Sequence, residues 1–148
     1  MIQVMALSLV LIMGLGTVAM AGNVSDTRWG YDENGNAHYY TSNGVSHTET
    51  LRAKEDDTST YVYMTGGSLN VIRFVIMGKN YYTGAQANCT GPSISNPFAY
   101  YEANKNAAYA NRFFMNTVNE QGYGWSFLYT YSVTNGTATG LWSPDSVY

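Results

Sequence analysis

The stretch GWSFLYTYSVTNGTATGLW, residues 124–142, constrains the fold more than any other part of this chain. From Trp125 to Thr134, aromatic or apolar side chains alternate with side chains that mostly bear hydroxyl groups. Successive side chains in a β-strand point to opposite faces of the sheet, so this period of two residues predicts a half-buried strand. One face of that strand is aromatic and the other is rich in hydroxyls.

Asn135-Gly136 follows this strand and is the preferred sequence of a two-residue type I′ hairpin turn. The register of such a hairpin brings the aromatic face of the first strand against the second strand, pairing Tyr131 with Gly140 and Tyr129 with Trp142. An aromatic ring over a cross-strand glycine shields the backbone from water. The hairpin therefore predicts that Trp142 lies in the core.

The last residues, TGLWSPDSVY, contain two serines and an aspartate, which raises the question of a reactive site. Proline cannot donate to a strand ladder, so Pro144 should end the strand that carries Trp142. We interpret Ser143 and Ser146 as residues of a terminal loop and not as nucleophiles.

A second hairpin is predicted around Gly66-Gly67. Segments rich in β-branched and aromatic residues lie on both sides of this glycine pair. Residues 72–77 are apolar on nearly every position, which is typical of a central strand covered on both faces. The predicted register pairs Val62 with Val71 and Met64 with Leu69.

The rest of the chain predicts short strands and connections. Short strands are expected near residues 29–31, 38–41 and 46–53, and residues 78–97 form a long connection. Phe98–Val118 is compatible with a helix or a strand, and we favour a strand. Together these segments predict an all-β fold, an antiparallel β-sandwich of about seven to nine short strands.

Residues 5–20 are an almost unbroken apolar run that leads into the small-x-small sequence Ala19-Met20-Ala21. This pattern predicts a signal peptide, residues 1–21, followed by one secreted domain, residues 22–148. The competing interpretation is a transmembrane anchor, but the run is shorter than the ~20 apolar residues of a span and no basic flank follows it. We expect an extracellular protein with no stable membrane insertion after cleavage.

A low charge content limits the possible partners. Only 11% of the residues are charged, with a net charge of −3, whereas an average soluble domain has about 25% charged residues. Nucleic acids are held mainly by Lys and Arg, of which this chain has 7, so we expect no nucleic-acid partner. Cys89 is the single cysteine, which excludes an intrachain disulfide. We expect Cys89 to be buried, the alternative being a disulfide between chains.

No motif supports catalysis, a metal site or a cofactor. His38 and His47 are the only histidines, and we interpret both as ordinary surface residues rather than members of a catalytic triad or a zinc site. Residues 32–43, DENGNAHYYTSN, lack the glycine and glutamate of a calcium loop and are better explained by a hairpin loop. A glycosidase needs two carboxylates, and no spacing selects a pair among Glu49, Glu102, Glu120 and Asp145.

Tyrosines occur in adjacent pairs at residues 39–40, 81–82 and 100–101. Adjacent side chains of a strand face opposite ways, so one member of each pair should be exposed. Exposed tyrosine beside Asn and Gly is typical of surfaces that stack on sugars or bind other proteins. The alternative is that these rings only cover the outer faces of the fold. The candidate ligand-binding residues are Tyr39, Tyr81, Tyr82 and Tyr100.

Four landmarks follow one another along the chain: DDTSTYVYM at 56–64, NCTG at 88–91, NEQGYG at 119–124 and GTATGLWSPDS at 136–146. Their arrangement resembles a group of small, uncharacterised secreted proteins of Gram-positive bacteria, some of which are associated with bacteriocin-type systems. The resemblance implies a secreted, β-rich protein and no catalytic residues.

From these observations we expect a non-enzymatic interaction protein that acts at a bacterial cell surface or on an extracellular glycan. A bacteriocin-like toxin is the alternative, and a secreted hydrolase is the third hypothesis.

Overall fold

The computed structural model describes residues 25–94 and 100–146, and its regular structure is almost entirely antiparallel β-strand. The predicted signal peptide lies outside the described residues. The described part contains one short 3₁₀ helix, Tyr109–Arg112, and twelve strands, of which seven have three or more residues. The all-β prediction is confirmed. The strands are β1 Thr27–Trp29, β2 Tyr39–Tyr40, β3 His47–Thr48, β4 Arg52–Ala53, β5 Thr60–Gly66, β6 Val71–Lys79, β7 Gln86–Asn88, β8 Tyr101–Asn104, β9 Phe113–Phe114, β10 Trp125–Tyr131, β11 Gly136–Thr137 and β12 Thr139–Ser143.

The strands form two main sheets and one small sheet. The four-stranded sheet has the order β1-β12-β5-β9. The six-stranded sheet is built on the central pair β10 and β6, with β3 and β4 along one edge and β7 and β8 along the other. β11 and β2 form a separate two-stranded sheet. The edge strands are short, which limits pairing with other chains.

The two main sheets share one hydrophobic core. Trp29, Met64 and Trp142 of the four-stranded sheet belong to the same buried cluster as Phe74 and Leu128 of the six-stranded sheet. Burial of such large side chains is the main favourable contribution to folding. The predicted place of Trp142 in the core is thus confirmed.

The C-terminal strand ends as predicted, but the residues beyond it are buried. β12 stops at Ser143, directly before Pro144. The hydroxyl of Ser143 donates to the Asp145 carbonyl at 2.6 Å, and the backbone N–H of Ser146 donates to the Thr58 hydroxyl at 2.9 Å. These serines therefore anchor the C-terminal segment to the fold.

Neither predicted hairpin forms: the four predicted strands are present, but each pairs with strands other than its predicted partner. β5 pairs with β12 and β9, whereas β6 pairs with β10, β7 and β8. Residues 67–70 therefore cross from one main sheet to the other, and residues 132–138 cross back. The actual partners are Trp142 with Val62, Gly140 with Met64, Tyr129 with Val75 and Tyr131 with Arg73.

The two glycine-containing crossovers lie side by side. The N–H groups of Ser68 and Leu69 donate to the hydroxyl and the carbonyl of Thr137, at 3.1 and 3.0 Å. Gly67 has a φ of 106°, and a Cβ there would lie 2.2 Å from the Thr137 carbonyl oxygen. Glycine is therefore required by the close approach of the second crossover, and not by a hairpin turn.

The faces of β10 are also opposite to the expectation. Ser126, Leu128 and Thr130 are fully buried, whereas Trp125 and Tyr131 are only half-buried on the outer face. A hydroxyl face tolerates burial where its groups find hydrogen-bond partners. The Thr130 hydroxyl has three such partners, the Glu49 carboxylate at 2.9 Å, the Tyr40 hydroxyl at 2.8 Å and the His47 carbonyl at 3.4 Å. The buried Ser126 hydroxyl, by contrast, has no hydrogen-bond partner in the described part of the chain.

Three smaller predictions are settled by the structure. Residues 32–36 form a hairpin loop in which an Asp32 carboxylate oxygen accepts the N–H groups of Asn34 and Asn36. Cys89 is a buried free thiol, and burial raises its pKa to about 11. The segment 98–118, favoured as a strand, contains β8 and β9 separated by the 3₁₀ helix.

Candidate functional site

The outer face of the six-stranded sheet carries a row of aromatic side chains along β10. Phe127 is buried against Tyr129, with ring centroids 5.1 Å apart, and the other rings remain partly open to solvent. Exposed tyrosines lie at both ends of this row. We call the aromatic face the set Trp125, Tyr129 and Tyr131 of β10 together with Tyr81, Tyr82 and Tyr100.

The first end of the aromatic face is a cluster of three rings. Tyr81 lies 5.3 Å from Trp125 with an angle of 32° between their planes, and Tyr82 stands perpendicular to Tyr81 at 5.8 Å. Tyr82 is 94% exposed. The turn that carries these tyrosines is fixed by Asn80, whose side-chain oxygen accepts the N–H groups of Tyr82 and Thr83 at 3.0 Å. A fixed turn lowers the entropic cost of binding a ligand on these rings.

The second end combines a ring with a paired charge. The Arg73 guanidinium lies 4.6 Å from the centre of the Tyr100 ring, and its Nε donates to a Glu102 carboxylate oxygen at 3.1 Å. Tyr131 meets Tyr100 nearly at right angles, 6.2 Å away. Burial raises the pKa of Tyr131, so its phenol stays protonated and able to donate a hydrogen bond.

A groove of about 480 Å³ adjoins this second end, where the two crossovers run side by side. Its volume falls within the range of ligand pockets. Hydroxyl, amide and paired charged groups line it beside the apolar Leu69, Val71 and Val133. The polar lining residues are Ser68, Asn70, Arg73, Glu102, Ser132 and Thr134.

The aromatic face is elongated. Trp125 and Tyr131 are six residues apart on one strand, which corresponds to about 20 Å. Rings spaced along a line of this length suit an extended ligand with several repeating units.

The structure places three of the four predicted site residues on this face. Tyr81 and Tyr82 contact each other at one end, and Tyr100 lies at the other. Tyr39 is 59% exposed but belongs to the two-stranded sheet, opposite Thr137, and lies outside the aromatic face.

Sequence reasoning missed the rings between the two ends. The period of two identifies Trp125, Tyr129 and Tyr131 as one face of a strand, but the predicted hairpin turns that face towards its second strand and the core. Arg73 was missed because its strand was expected to be covered on both sides. The outward direction of these side chains depends on which face of β10 meets the core.

The two histidines are not ordinary surface residues. The rings of His38 and His47 are stacked with centroids 4.1 Å apart, and His47 Nε2 lies 3.9 Å from a Glu49 carboxylate oxygen. That oxygen also accepts the N–H of Gly30 and the hydroxyl of Thr130. Burial raises the pKa of Glu49, and burial together with the neighbouring His47 lowers the pKa of His38. Within residues 25–94 and 100–146, no three His, Cys, Asp or Glu side chains are grouped to hold a metal ion.

This cluster makes stability depend on pH. A carboxyl whose pKa is raised on folding binds its proton more tightly in the folded state, so stability is lost as pH rises above the usual value of 4.5. We expect Glu49→Gln to become progressively more stable relative to the wild type as pH rises from 4.5 towards neutrality. Urea unfolding of both proteins across this range measures the effect. A pH-independent difference in the free energy of unfolding would contradict it.

The four carboxylates considered for hydrolysis lie in separate environments. Glu49 and Asp145 are buried, and Glu102 is paired with Arg73. Glu120 instead lines a cavity of about 240 Å³ together with Asp57. No local pattern in the sequence selects Asp57 and Glu120 as a pair, because they are 63 positions apart.

The fold and this surface define an antiparallel all-β protein that exposes a row of aromatic side chains on one sheet. Residues 17–146 match the family model described as a protein of unknown function (DUF2712), and the chain belongs to this family. No curated protein and no solved structure matches the chain. No helix in the described ranges has the length and hydrophobicity needed to span a bilayer.

Proposed function

We propose that this chain is a secreted, non-enzymatic interaction protein that binds an extended glycan at a bacterial cell surface through the aromatic face. The main support for this proposal is the cluster at the first end of the aromatic face, where Tyr81 and Tyr82 are exposed on a fixed turn beside Trp125. Such rings offer a large contact area at a low cost in conformational entropy.

The charge distribution favours an uncharged ligand of this kind. Only 11% of the residues are charged, and Arg73, which lies beside Tyr100 of the aromatic face, is already paired with Glu102. The groove beside Tyr100 adds hydroxyl and amide groups that complement the hydroxyls of a sugar chain. Secretion is proposed from the apolar N-terminal run and its small-x-small sequence.

The test is a binding measurement with a matched pair of variants. Purified protein is incubated with Gram-positive cell-wall polysaccharide, and the dissociation constant is measured by calorimetry. We expect Trp125→Ala and Tyr81→Ala each to weaken binding about tenfold, equivalent to about 1.4 kcal/mol. Tyr39→Ala removes an exposed tyrosine outside the aromatic face and should bind like the wild type. Equal affinity of all variants would contradict the proposal.

The same purified proteins, added to intact cells or to polysaccharide, distinguish the alternative functions. Loss of viability of intact cells would instead indicate a bacteriocin-like toxin. A secreted hydrolase is favoured by one observation, the cavity shared by Asp57 and Glu120, since glycoside hydrolysis uses two carboxyl groups. Release of reducing ends by the wild type but not by Asp57→Asn would support that second function.

A further inference from the structure

We propose that Lys54 and Asp145 condense into an intramolecular amide bond that joins the two main sheets covalently. Lys54 directly follows β4 of the six-stranded sheet, and Asp145 lies two residues beyond the end of β12 in the four-stranded sheet. The bond would be a modification of the folded protein and does not depend on the proposed glycan binding.

The two reacting groups are in contact and shielded from water. Lys54 Nζ lies 2.7 Å from Asp145 Oδ1, and both side chains have 0% exposure. The amine is held in place because it also donates to the Thr58 carbonyl at 2.6 Å. Fixing an amine against a carboxyl group removes the entropic cost of bringing them together, which is a large part of the barrier to amide formation.

Two neighbouring groups supply what the reaction needs. The backbone N–H of Glu55 donates to the other oxygen of Asp145 at 3.1 Å, where negative charge develops when nitrogen adds to the carbon. Asp56 lies 3.6 Å from Lys54 Nζ and within hydrogen-bond reach of Asp145. Its carboxylate is therefore placed to move a proton from the nitrogen to the departing oxygen.

The chemistry balances without any further reactant. A proton passes from the Lys54 ammonium to the Asp145 carboxylate, leaving a neutral amine and a carboxylic acid. The nitrogen lone pair forms a bond to Cγ, the carbon–oxygen bond breaks, and the oxygen leaves as water with protons from the nitrogen and the acid. The products are one amide and one water molecule.

The surroundings favour the amide over the ion pair. Two fully buried charges carry a desolvation cost that their attraction only partly offsets, and the amide removes both charges. The single cysteine leaves this chain without an intrachain disulfide. An amide between Lys54 and Asp145, which are 91 positions apart, would close a long loop of chain. Like a disulfide that closes a long loop, it would stabilise the fold by restricting the unfolded chain.

The decisive measurement is the intact mass of the denatured secreted protein. We expect the wild type to be lighter than its sequence mass by one water molecule, and a protease digest to contain a branched peptide joining Lys54 and Asp145. Lys54→Arg keeps the positive charge but should show the full mass. A wild type at full mass would overturn the proposal whether or not the variant folds, as would a water loss that persists in Lys54→Arg.

Asp56→Ala tests the proton-transfer step. We expect the fraction of cross-linked molecules to rise at least tenfold more slowly after refolding, while unfolding of the variant remains cooperative. An unchanged rate would remove Asp56 from the mechanism.

Discussion

Trp142→Ala should destabilise the protein by about 3–5 kcal/mol, which is the range for removing a large buried aromatic side chain. Trp142 is completely buried on β12, and β12 lies between β1 and β5 in the four-stranded sheet. Truncation would leave a cavity between the two main sheets that a close-packed β-sandwich fills poorly. Urea denaturation followed by far-UV circular dichroism measures the change in the free energy of unfolding.

Two variants control this experiment. Trp142→Phe keeps most of the ring and removes an indole N–H that has no hydrogen-bond partner in the described part of the chain, so it should cost much less. Tyr82→Ala removes an exposed ring and should stay within about 0.5 kcal/mol of the wild type. A near-neutral Trp142→Ala would place that residue on a surface and refute the core described above.

Gly140→Ala should destabilise the protein by about 3 kcal/mol or more, because there is no space for the added methyl group beside the neighbouring strand. A Cβ on Gly140 would lie 2.0 Å from the Tyr63 carbonyl oxygen and 2.5 Å from Nε1 of Trp29. Neither neighbour can give way easily, since Tyr63 belongs to the adjacent strand β5 and Trp29 is fully buried. Thermal unfolding and urea denaturation should agree on the loss.

Gly124→Ala is the matched control. Apart from the atoms of Gly124 and its two adjacent residues, no heavy atom lies within 4 Å of the position that a Cβ on Gly124 would occupy. The same chemical change should therefore be nearly neutral there. Similar losses for the two glycine variants would show that the effect comes from backbone entropy rather than from the contact with Tyr63 and Trp29.

The core and the aromatic face depend on the same strand. β10 buries Leu128 and Thr130 against the other sheet and presents Trp125 and Tyr131 to solvent. The rings of Trp125, Tyr129 and Tyr131 therefore stand on the central strand pair of the six-stranded sheet, whereas Tyr81 and Tyr82 stand on the turn held by Asn80. This arrangement suits recognition by preformed rings.

Local sequence determined the strands themselves. The alternation from Trp125, the β-branched runs around Gly66-Gly67 and the proline at position 144 each depend on neighbours within a few residues. The burial of Cys89 followed from its chemistry, whereas the burial of Trp142 was predicted from a hairpin register that the structure does not contain. The rule that one tyrosine of each adjacent pair is exposed holds for Tyr39 and Tyr40, but Tyr81 and Tyr82 are both exposed because they lie in a turn and not in a strand.

Tertiary structure decided which strands pair and which faces turn inward. A period of two separates the faces of β10 but does not say which face meets the core. The buried Thr130 hydroxyl is paired with Glu49 and Tyr40, which are distant in the chain and leave no mark on the local pattern. Glycine suits a tight turn and a close crossing equally well, so Gly67 did not reveal that its neighbour is Thr137. The pairing of Lys54 with Asp145 likewise joins segments that only the packed sheets bring together. Contacts between residues far apart in the chain leave little trace in local sequence patterns, and this is why the sequence predicted the strands but not their arrangement.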